Sequence, residues 1–418
     1  MTAFRFIHCS DLHIDSPFKG FSAIRPDWAD RLREAPLRSF LKIVDLAISE
    51  QVDAVLISGD VFDGEDKSLQ AQFKFRRGLQ TLSEHGIPTF IAHGNHDPLN
   101  TWSTTLDWPE KVNVFPGSRV SSIPVKKDGR TLAHIYGTSF HQRDVFDNLA
   151  LQFNRQQEAG FAVAVLHANV GGHPDHDPYA PCAMDDLVTR GMDYWALGHI
   201  HAREVMRRSN PAIVYCGNSQ GRFFKESGPK GCYLVTLKEG ADPDIQFMAT
   251  DTIRFMEVTL DLSSCVTPDD VVAEMIGQCQ MLMEQAEGRS LVVRQTLTGR
   301  TEVHPLLHKG GTLNSLRDEV LQNFPNRRAG LWLEFRLHTR GTYDIDTLTQ
   351  GQDFIADLIA LYGRQAEPES LPQCREALKP LFQSWEGGHL LPEFSDEELR
   401  EILLQARNLT LDELVSGD

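Results

Sequence analysis

The stretch DAVLISGDVFD, residues 53–63, joins a short apolar run to a loop that is rich in carboxylates. The run AVLIS has the length and composition of a buried strand, and it is followed directly by Gly59 and Asp60. A plain surface loop would accept these acids because loops face water, whereas a metal site would require them as ligands. The rest of the chain has to decide between these two interpretations.

Four further apolar runs end in side chains that commonly bind metals. The runs are FRFIHCS, PTFIAHG, FAVAVLH and DYWALGH, and each is predicted to be a buried strand. The carboxyl ends of strands gather at one edge of an open α/β sheet, so residues far apart in sequence can meet there. The side chains delivered by these four runs are Asp11, His13, Asn95, His96, Asp97, His167, His199 and His201.

The types of these side chains indicate which ions they could hold. Mixed carboxylate, amide and imidazole ligands suit Mn²⁺, Fe²⁺ or Zn²⁺ better than Ca²⁺. Seven candidates are too many for one tetrahedral ion, and they suit two ions roughly 3.5–4 Å apart that share one carboxylate. Asp60 is the expected bridge, and Asp63 is expected in a supporting loop position. The seven expected metal ligands are Asp11, His13, Asp60, Asn95, His167, His199 and His201.

Each motif taken alone is weak. D-x-H is nearly uninformative, G-D-x-x-D is a common turn, and G-H-x-H could be two surface histidines. Their occurrence in one order, each after a predicted strand, favours a metal site over turn chemistry. His96 follows Asn95 directly and has no need to coordinate, so it is the expected general acid for a poor leaving group. Asp97 is expected to orient its imidazole.

The pattern along the chain predicts three regions. Residues 1–251 alternate strands with amphipathic helices and include hairpins at Asp128-Gly129 and Asn210-Pro211, which indicates an α/β catalytic domain. That domain is expected to be a two-sheet β-sandwich flanked by helices. Residues 252–343 are predicted to form a small α+β domain that contributes to substrate choice. Residues 344–418 lack strand patterns and are expected to form amphipathic helices over 346–363 and 394–409, with a capping box at Ser395 and Glu398.

Composition limits the class of protein. The 418 residues carry a formal net charge of −17, and the stretch from Ile345 to Asp418 contributes 15 acidic against 5 basic side chains. This net negative charge argues against strong non-specific binding to phosphate backbones, but metal cations can supply positive charge locally. The seven cysteines form no CxxC pair. With no signal-peptide pattern and no long apolar run, the expectation is a cytoplasmic protein without a membrane segment.

The series SDLH, GDVFD, GNHD, H and GHIH resembles the calcineurin-like metallophosphoesterase superfamily, and most of all its SbcD-type DNA repair exonucleases. The stretches SDLHIDSPFKG and YCGNSQGRFFKESGPKGCYLV are similar to the YhaO subgroup. The resemblance implies one metal on Asp11, His13, Asp60 and His201. It implies the other on Asp60, Asn95, His167 and His199, with His96 as general acid. Asp15 is a departure, because better-known members often carry glycine there.

These observations lead to a hypothesis of function. The chain is expected to be a two-metal phosphodiesterase, most simply a DNA nuclease that uses Mn²⁺, with Fe²⁺, Zn²⁺ or Mg²⁺ as alternatives. The resemblance further implies an SMC-like coiled-coil ATPase as partner and a possible homodimer. Arg222 and Asn218 are candidate phosphate contacts. The open alternatives are a phosphoesterase for small molecules or proteins, and a non-catalytic binding subunit.

Overall fold

The computed structural model describes residues 2–16, 26–63, 68–100, 107–157, 159–173, 177–324, 330–383 and 394–415. The chain divides into two compact units. The first unit comprises Met1–Met256 and Ala286–Val292, and the second comprises Glu257–Gln285 and Val293–Asp418. Each unit is described separately below.

The strands of the described residues fall into three sheets. In chain order they are β1 (Ala3–Cys9), β2 (Ala54–Ser58), β3 (Thr89–Ala92), β4 (Val112–Val114), β5 (Ser121–Lys127), β6 (Arg130–Gly137), β7 (Phe161–His167), β8 (Tyr194–Gly198), β9 (Glu204–Arg207), β10 (Ala212–Tyr215), β11 (Gly231–Lys238), β12 (Asp244–Ala249), β13 (Ile253–Asp261), β14 (Ser290–Arg300) and β15 (Leu331–Arg340).

Helices connect these strands and form the end of the described chain. In chain order they are α1 (Pro26–Ser49), α2 (Leu69–Glu84), α3 (Met184–Val188), α4 (Pro268–Gln285), α5 (His304–Leu307), α6 (Thr312–Gln322), α7 (Ile345–Thr349), α8 (Phe354–Gln365), α9 (Leu371–Gln383) and α10 (Asp396–Val415).

The first unit is built on two six-stranded sheets. One has the order β12-β11-β1-β2-β3-β4 and the other β5-β6-β7-β8-β10-β9. Within the first sheet, β1, β2 and β3 run parallel, and within the second, β7 and β8 run parallel. The sequence-based prediction of a two-sheet sandwich with outer helices is therefore confirmed. The prediction did not include β4, β11 and β12.

The core explains why the run AVLIS is apolar at every position but the last. Ala54 and Leu56 pack between the two sheets, while Val55 and Ile57 pack on the other face, in the cluster that also contains Phe40 of α1 and other helix residues. Side chains alternate along a strand, so a strand covered on both faces must be apolar throughout. Because both faces of β2 are buried, charged side chains can follow only after the strand has ended. The position of the acids is therefore set by the end of β2.

Local signals set the boundaries of several elements in the first unit. The Ser68 hydroxyl accepts a hydrogen bond from the Ala71 N–H at 3.1 Å and so caps the N-terminus of α2. Beyond its C-terminal end, Gly86 has a φ of 79°, a left-handed conformation that ends a helix. The β5–β6 hairpin turns through Asp128 and Gly129, with φ angles of 50° and 77°, as a turn of two left-handed residues requires. The predicted hairpin is therefore confirmed.

The second unit carries most of the third sheet, of order β13-β14-β15, and the C-terminal helices. The predicted capping box is confirmed, since the Ser395 hydroxyl accepts from the Glu398 N–H and the Glu398 carboxylate from the Ser395 N–H. The single helix expected over 346–363 is wrong. Asp353 caps a new helix by accepting from the Ala356 N–H at 3.0 Å, so the segment forms α7 and α8. Helix α9 was not predicted.

Candidate metal centre

The ligand candidates follow neighbouring parallel strands at the same edge of the two sheets. Asp11 comes after β1, Asp60 after β2 and Asn95 after β3, while His167 ends β7 and His199 follows β8. All five are buried, and each is at most 6% exposed. The structure thus brings together all the candidate segments that the sequence placed at strand ends.

The backbone at this edge is held in an unusual conformation. Asp11, His13, Asp60 and His199 have φ angles of 49°, 45°, 50° and 98°, in the left-handed region that residues with a Cβ seldom adopt. Such strain persists only where the surrounding structure enforces it, and it concentrates at functional sites. Here it turns four buried side chains toward one space.

One group of candidate ligands consists of Asp11, His13 and His201, whose ligand atoms all lie within 4.8 Å of one another. The Nε2 atoms of His13 and His201 are 3.1 Å apart, and His201 Nε2 is 3.8 Å from Asp11 Oδ1. Ligand atoms of this kind converge on a common point when they share an ion.

A carboxylate faces the other ring nitrogen of each histidine in this group. His201 Nδ1 donates to Glu226 Oε1 at 2.7 Å, and His13 Nδ1 faces Asp63 Oδ1 at 3.5 Å. A proton on each Nδ1 leaves both Nε2 atoms as lone pairs, which repel each other at 3.1 Å unless a cation lies beside them. The donor set therefore fits a metal ion.

A second group contains Asp11 again, with Asp60 and His167, whose ligand atoms all lie within 4.8 Å of one another, and Asn95 adjoins it. His167 Nε2 lies 3.0 Å from Asn95 Oδ1 and 3.4 Å from Asp60 Oδ2, while its Nδ1 donates to the Ser58 carbonyl at 3.0 Å. Again the protonated nitrogen is turned away, so a lone pair and two oxygens face the same space. His199 lies alongside, with its ring centroid 5.1 Å from that of His167.

Asp60 lies between the two groups. Its Oδ2 atom is 4.0 Å from His13 Nε2 and 3.4 Å from His167 Nε2, so one carboxylate faces a histidine of each group. Its Oδ1 accepts a hydrogen bond from the His96 N–H at 2.9 Å, which fixes the orientation of the carboxylate. The bridging role expected from the sequence stays a prediction, which this position supports.

Two glycines make room for these side chains. A Cβ added at Gly59 would lie 2.1 Å from His167 Nδ1, and one at Gly94 would lie 2.3 Å from Asp60 Oδ1. Neither distance is tolerable for a real Cβ. The glycine of G-D and the glycine of G-N-H-D are therefore required by close approach of the ligands.

Burial and charge act in opposite directions on the titration of these groups. Burial lowers the pKa of His13 and of His199 to about 4, so both imidazoles are neutral at pH 7, as metal ligands must be. Burial acts to raise the pKa of Asp11 and Asp60, but the neighbouring histidines, His167 first, hold both below the usual range. Neutral imidazoles and ionised carboxylates are the ligand forms.

His96 lies beside the centre and is partly exposed. Its Nδ1 is 2.9 Å from Asp63 Oδ1, and 36% of its side chain is exposed. Burial acts to lower the pKa of His96, but the Asp63 hydrogen bond and the Asp60 and Asp63 charges raise it to about 9. The imidazole can therefore carry a proton at neutral pH.

The prediction that Asp97 orients His96 is wrong. The Asp97 carboxylate is fully buried, and it accepts from the Val61 and Gly94 N–H groups and from His93 Nδ1, each at 3.0 Å. It therefore holds together the loops after β2 and β3. Asp63, the last described residue of the loop after β2, is the carboxylate that contacts His96.

The two candidate phosphate contacts have different environments. Asn218 is 1% exposed, and its amide donates to Glu226 Oε2 at 2.8 Å and to the Gln220 carbonyl at 2.9 Å, so it supports Glu226, and its substrate-binding assignment stays a prediction. Arg222 contacts Asp63 Oδ2 at 3.1 Å and Glu226 Oε1 at 3.4 Å. Its guanidinium therefore lies beside the carboxylates that hold His96 and His201, where a phosphate contact remains open to it.

Sequence reasoning missed Glu226. This carboxylate is 5% exposed, and although burial acts to raise its pKa, the hydrogen bond from His201 and the Arg222 charge lower it to about 2. The available signal was a lone acid within the basic and aromatic stretch RFFKES. Asp15, noted as a departure, has a φ of 68° and accepts from the Ser68 N–H at 2.9 Å, which ties the His13 loop to the start of α2.

Comparison with known proteins places this geometry in a family. Residues 4–203 match the calcineurin-like phosphoesterase family, and residues 255–340 match the middle domain of metallophosphoesterase YhaO. The chain is 32% identical over 412 residues to the uncharacterized metallophosphoesterase YhaO of Bacillus subtilis, and the match covers 97% of both chains. The chain belongs to the calcineurin-like metallophosphoesterases. Members of this family are phosphoester hydrolases with a dinuclear divalent metal site.

Other relatives of this metallophosphoesterase are more distant. It is 26% identical to the DNA double-strand break repair protein Mre11 of Sulfurisphaera tokodaii over 63% of its own chain and 67% of the relative. It is 23% identical to the SbcD subunit of the nuclease SbcCD of Escherichia coli K12, over 72% and 87% of the two chains. Within the described residues, no helix is long and apolar enough to cross a membrane.

Proposed function

We propose that this metallophosphoesterase is a two-metal phosphodiesterase and serves as a DNA nuclease subunit that works with an SMC-like coiled-coil ATPase. The observation that carries the proposal is the position of Asp60 between two groups of lone-pair ligands, with His96 directly beside it. A phosphodiester needs charge neutralisation, a nucleophile and a proton for the leaving oxygen, and this arrangement supplies all three.

The assignment of ligands follows the two groups. Asp11, His13, Asp60 and His201 would hold one ion, and Asp60, Asn95, His167 and His199 would hold the other. The distances among Asp11, His13 and His201 and among Asp60, Asn95 and His167 support this assignment. Asp11 also lies within 4.8 Å of Asp60 and His167, and His199 is assigned to the second ion from its ring contact with His167. Mixed oxygen and imidazole donors suit Mn²⁺, with Fe²⁺, Zn²⁺ and Mg²⁺ as alternatives. When bound, the ions supply Lewis-acid polarisation of the phosphate and a nucleophile at neutral pH.

The protein side chains then have distinct tasks. His96 donates a proton to the leaving oxygen, and Asp63 holds its ring through the 2.9 Å contact with Nδ1. Arg222 is anchored by Asp63 and Glu226, and we assign it the role of contacting a non-bridging phosphate oxygen.

The names of two relatives support DNA as the substrate. Relatives covering 63% and 72% of this chain carry the names of a DNA repair protein and a nuclease subunit. The net charge of −17 opposes broad non-specific binding, so DNA binding has to depend on the centre itself and on local contacts. The seven cysteines are unpaired, which fits a reducing compartment such as the cytoplasm.

The C-terminal helices support the proposal of an ATPase partner. Apolar side chains on α8 and α10 stay exposed within the described residues, although the two helices pack together through the Tyr362 and Thr410 hydroxyls at 3.0 Å. An acidic, amphipathic helical surface of this kind suits a coiled coil. The exposed side chains are Phe354 at 67%, Leu361 at 45%, Ile402 at 38%, Leu409 at 54% and Leu414 at 45%.

The decisive experiment is metal-dependent digestion of linear DNA by the purified protein. Mn²⁺ or Mg²⁺ is added, and bis(p-nitrophenyl) phosphate is compared with its monoester in parallel. The matched control is Asp60→Asn, which keeps the size of the side chain and tolerates the left-handed backbone. Intact DNA together with rapid monoester turnover would instead favour a phosphatase for small molecules or proteins.

The partner is tested separately, with the SMC-like ATPase from the same genome. Co-elution of the two purified proteins is expected on size-exclusion chromatography, and Leu409→Glu should abolish it. Phe73→Glu, a change at a residue of α2 that is 52% exposed, is the control and should leave the complex intact. A complex that survives Leu409→Glu would remove α10 from the interface.

A further inference from the structure

An exposed aromatic ring in the first unit is linked to the metal centre through one intervening aromatic ring. Phe146 is 61% exposed, and its ring stacks on Tyr179 with centroids 5.7 Å apart and an interplanar angle of 27°. Tyr179 in turn meets the His199 ring edge-on at 5.9 Å. Two ring contacts therefore connect an open aromatic face to a candidate metal ligand.

The backbone around Phe146 is anchored on both sides. The Ala180 N–H donates to the Val145 carbonyl at 2.7 Å, and Val145 itself is buried. The Tyr179 hydroxyl donates to Asp144 Oδ1 at 3.2 Å. Phe146 is therefore held in place by its neighbours while its own ring contributes little to the core, and a ligand that uses it would meet a preorganised surface.

We propose that Phe146, backed by Tyr179, is a stacking platform for the nucleobase next to the scissile phosphate. This inference rests on the proposed phosphodiesterase function. A phosphate at the centre places its attached nucleoside within a few ångströms of the ligands, and the platform is the exposed aromatic face reached from His199. A phenyl ring offers a base its π-face and no hydrogen bonds, so any base is accepted and sequence is not read.

The platform predicts a preference that small substrates can measure. Thymidine 5′-(p-nitrophenyl) phosphate and methyl p-nitrophenyl phosphate share a leaving group and differ in the presence of a nucleoside. The ratio of their kcat/KM values should favour the thymidine ester by about 5- to 150-fold, the factor that corresponds to base–aromatic stacking. Phe146→Ala should lower this ratio toward 1, and Phe146→Trp should retain it.

The control is Phe73→Ala, which removes a phenyl ring that is 52% exposed on α2, and it should leave the ratio at the wild-type value. A wild-type ratio near 1, or a high ratio that persists in Phe146→Ala, would overturn the platform. Neither ester is DNA. If DNA stayed intact in the digestion assay, the nuclease proposal would be refuted, and the ratio measured with the two esters would still test the stacking platform.

A binding measurement judges the platform if none of the esters is hydrolysed. A dinucleotide phosphorothioate that contains 2-aminopurine is titrated with the protein, since the fluorescence of this base is quenched when it stacks on an aromatic ring. Quenching by the wild type that is lost in Phe146→Ala and kept in Phe73→Ala supports the platform. Equal quenching by the wild type and Phe146→Ala, or none by either, overturns it.

Discussion

Replacing Glu226 with glutamine should weaken metal binding, although no candidate metal ligand is substituted. Glu226 Oε1 accepts from His201 Nδ1 at 2.7 Å and from an Arg222 guanidinium nitrogen at 3.4 Å. Oε2 accepts from Asn218 Nδ2 at 2.8 Å and from the Arg222 N–H at 2.7 Å. Each carboxylate oxygen accepts from two donors. In glutamine one of these oxygens becomes an NH₂ group, which is itself a donor. In either orientation of the amide, that NH₂ group therefore faces two other donors.

The size of the effect follows from these contacts. If the NH₂ group faces His201, the ring loses the acceptor that holds its proton on Nδ1, and the Nε2 lone pair is no longer assured. Loss of such a supporting partner typically costs about 10–100-fold in metal affinity. If the NH₂ group faces Asn218 instead, a buried donor is left unpaired, which costs about 1–3 kcal/mol in the free energy of unfolding.

Two measurements check the Glu226→Gln prediction. Calorimetric titration of the metal-free protein with Mn²⁺ gives the affinity, and urea unfolding gives the stability. Turnover of bis(p-nitrophenyl) phosphate should recover when Mn²⁺ is raised, because the ligands themselves are unchanged. Glu204→Gln, at an exposed position in β9, is the matched control. Wild-type affinity and wild-type stability together in Glu226→Gln would refute the reasoning.

Three further predictions follow from other contacts. His96→Ala should keep its metals and lose DNA turnover by about 10²–10⁴-fold. The loss should be smaller on bis(p-nitrophenyl) phosphate, because its leaving group departs without a proton. Equal losses on the two substrates in steady-state assays would contradict the role of His96 as general acid. Asp63→Asn should lower DNA turnover by about 10–100-fold, and Mn²⁺ titration should also show weaker binding, because Asp63 faces Nδ1 of the candidate ligand His13 as well as that of His96. Asp412→Ala removes the carboxylate that pairs with Arg300 at 2.6 Å and should cost about 1–3 kcal/mol in urea unfolding, since the arginine is partly exposed. The neighbouring Glu413→Ala should stay within about 0.5 kcal/mol, and equal losses in the two variants would disprove the pairing.

The sequence predicts the sandwich and the meeting of the strand ends because both depend on short-range patterns. A strand buried on both faces reads as an unbroken apolar run, and the residue after it is a loop residue by necessity. Asp60 and His167 could therefore be placed at one edge from pattern alone. The assignment of the seven metal ligands stays a prediction, and the structure supplies distances that support it.

Side-chain pairing lies beyond such patterns. Asp63 and Asp97 are equally plausible neighbours of His96 in sequence, and Asp97 is adjacent. The path of the loop after β2 decides between them, because it turns the Asp63 carboxylate toward His96 while Asp97 points into the protein. Glu226 was missed for the same reason, since it reaches His201 from a segment 25 residues away.

The tail shows a different limit. Helical spacing of apolar residues continues through residues 346–363, so the period gives no indication of a break. Gly351 and Asp353 are the local signals, and the cap at Asp353 starts α8 afresh. Periodicity reports which face of a segment is apolar, and capping residues report where a helix begins.

The pairing of β1 with β11 sets a delay during synthesis on the ribosome. Ile7 and Phe6 of the first strand pair with Leu234 and Val235, which are made more than 220 residues later. At a synthesis rate of roughly 5–20 residues per second, the edge of β1 that pairs with β11 stays unpaired for on the order of 10–45 s. Over this interval it is an unprotected apolar strand, so recombinant yield should depend on chaperone supply and on growth temperature.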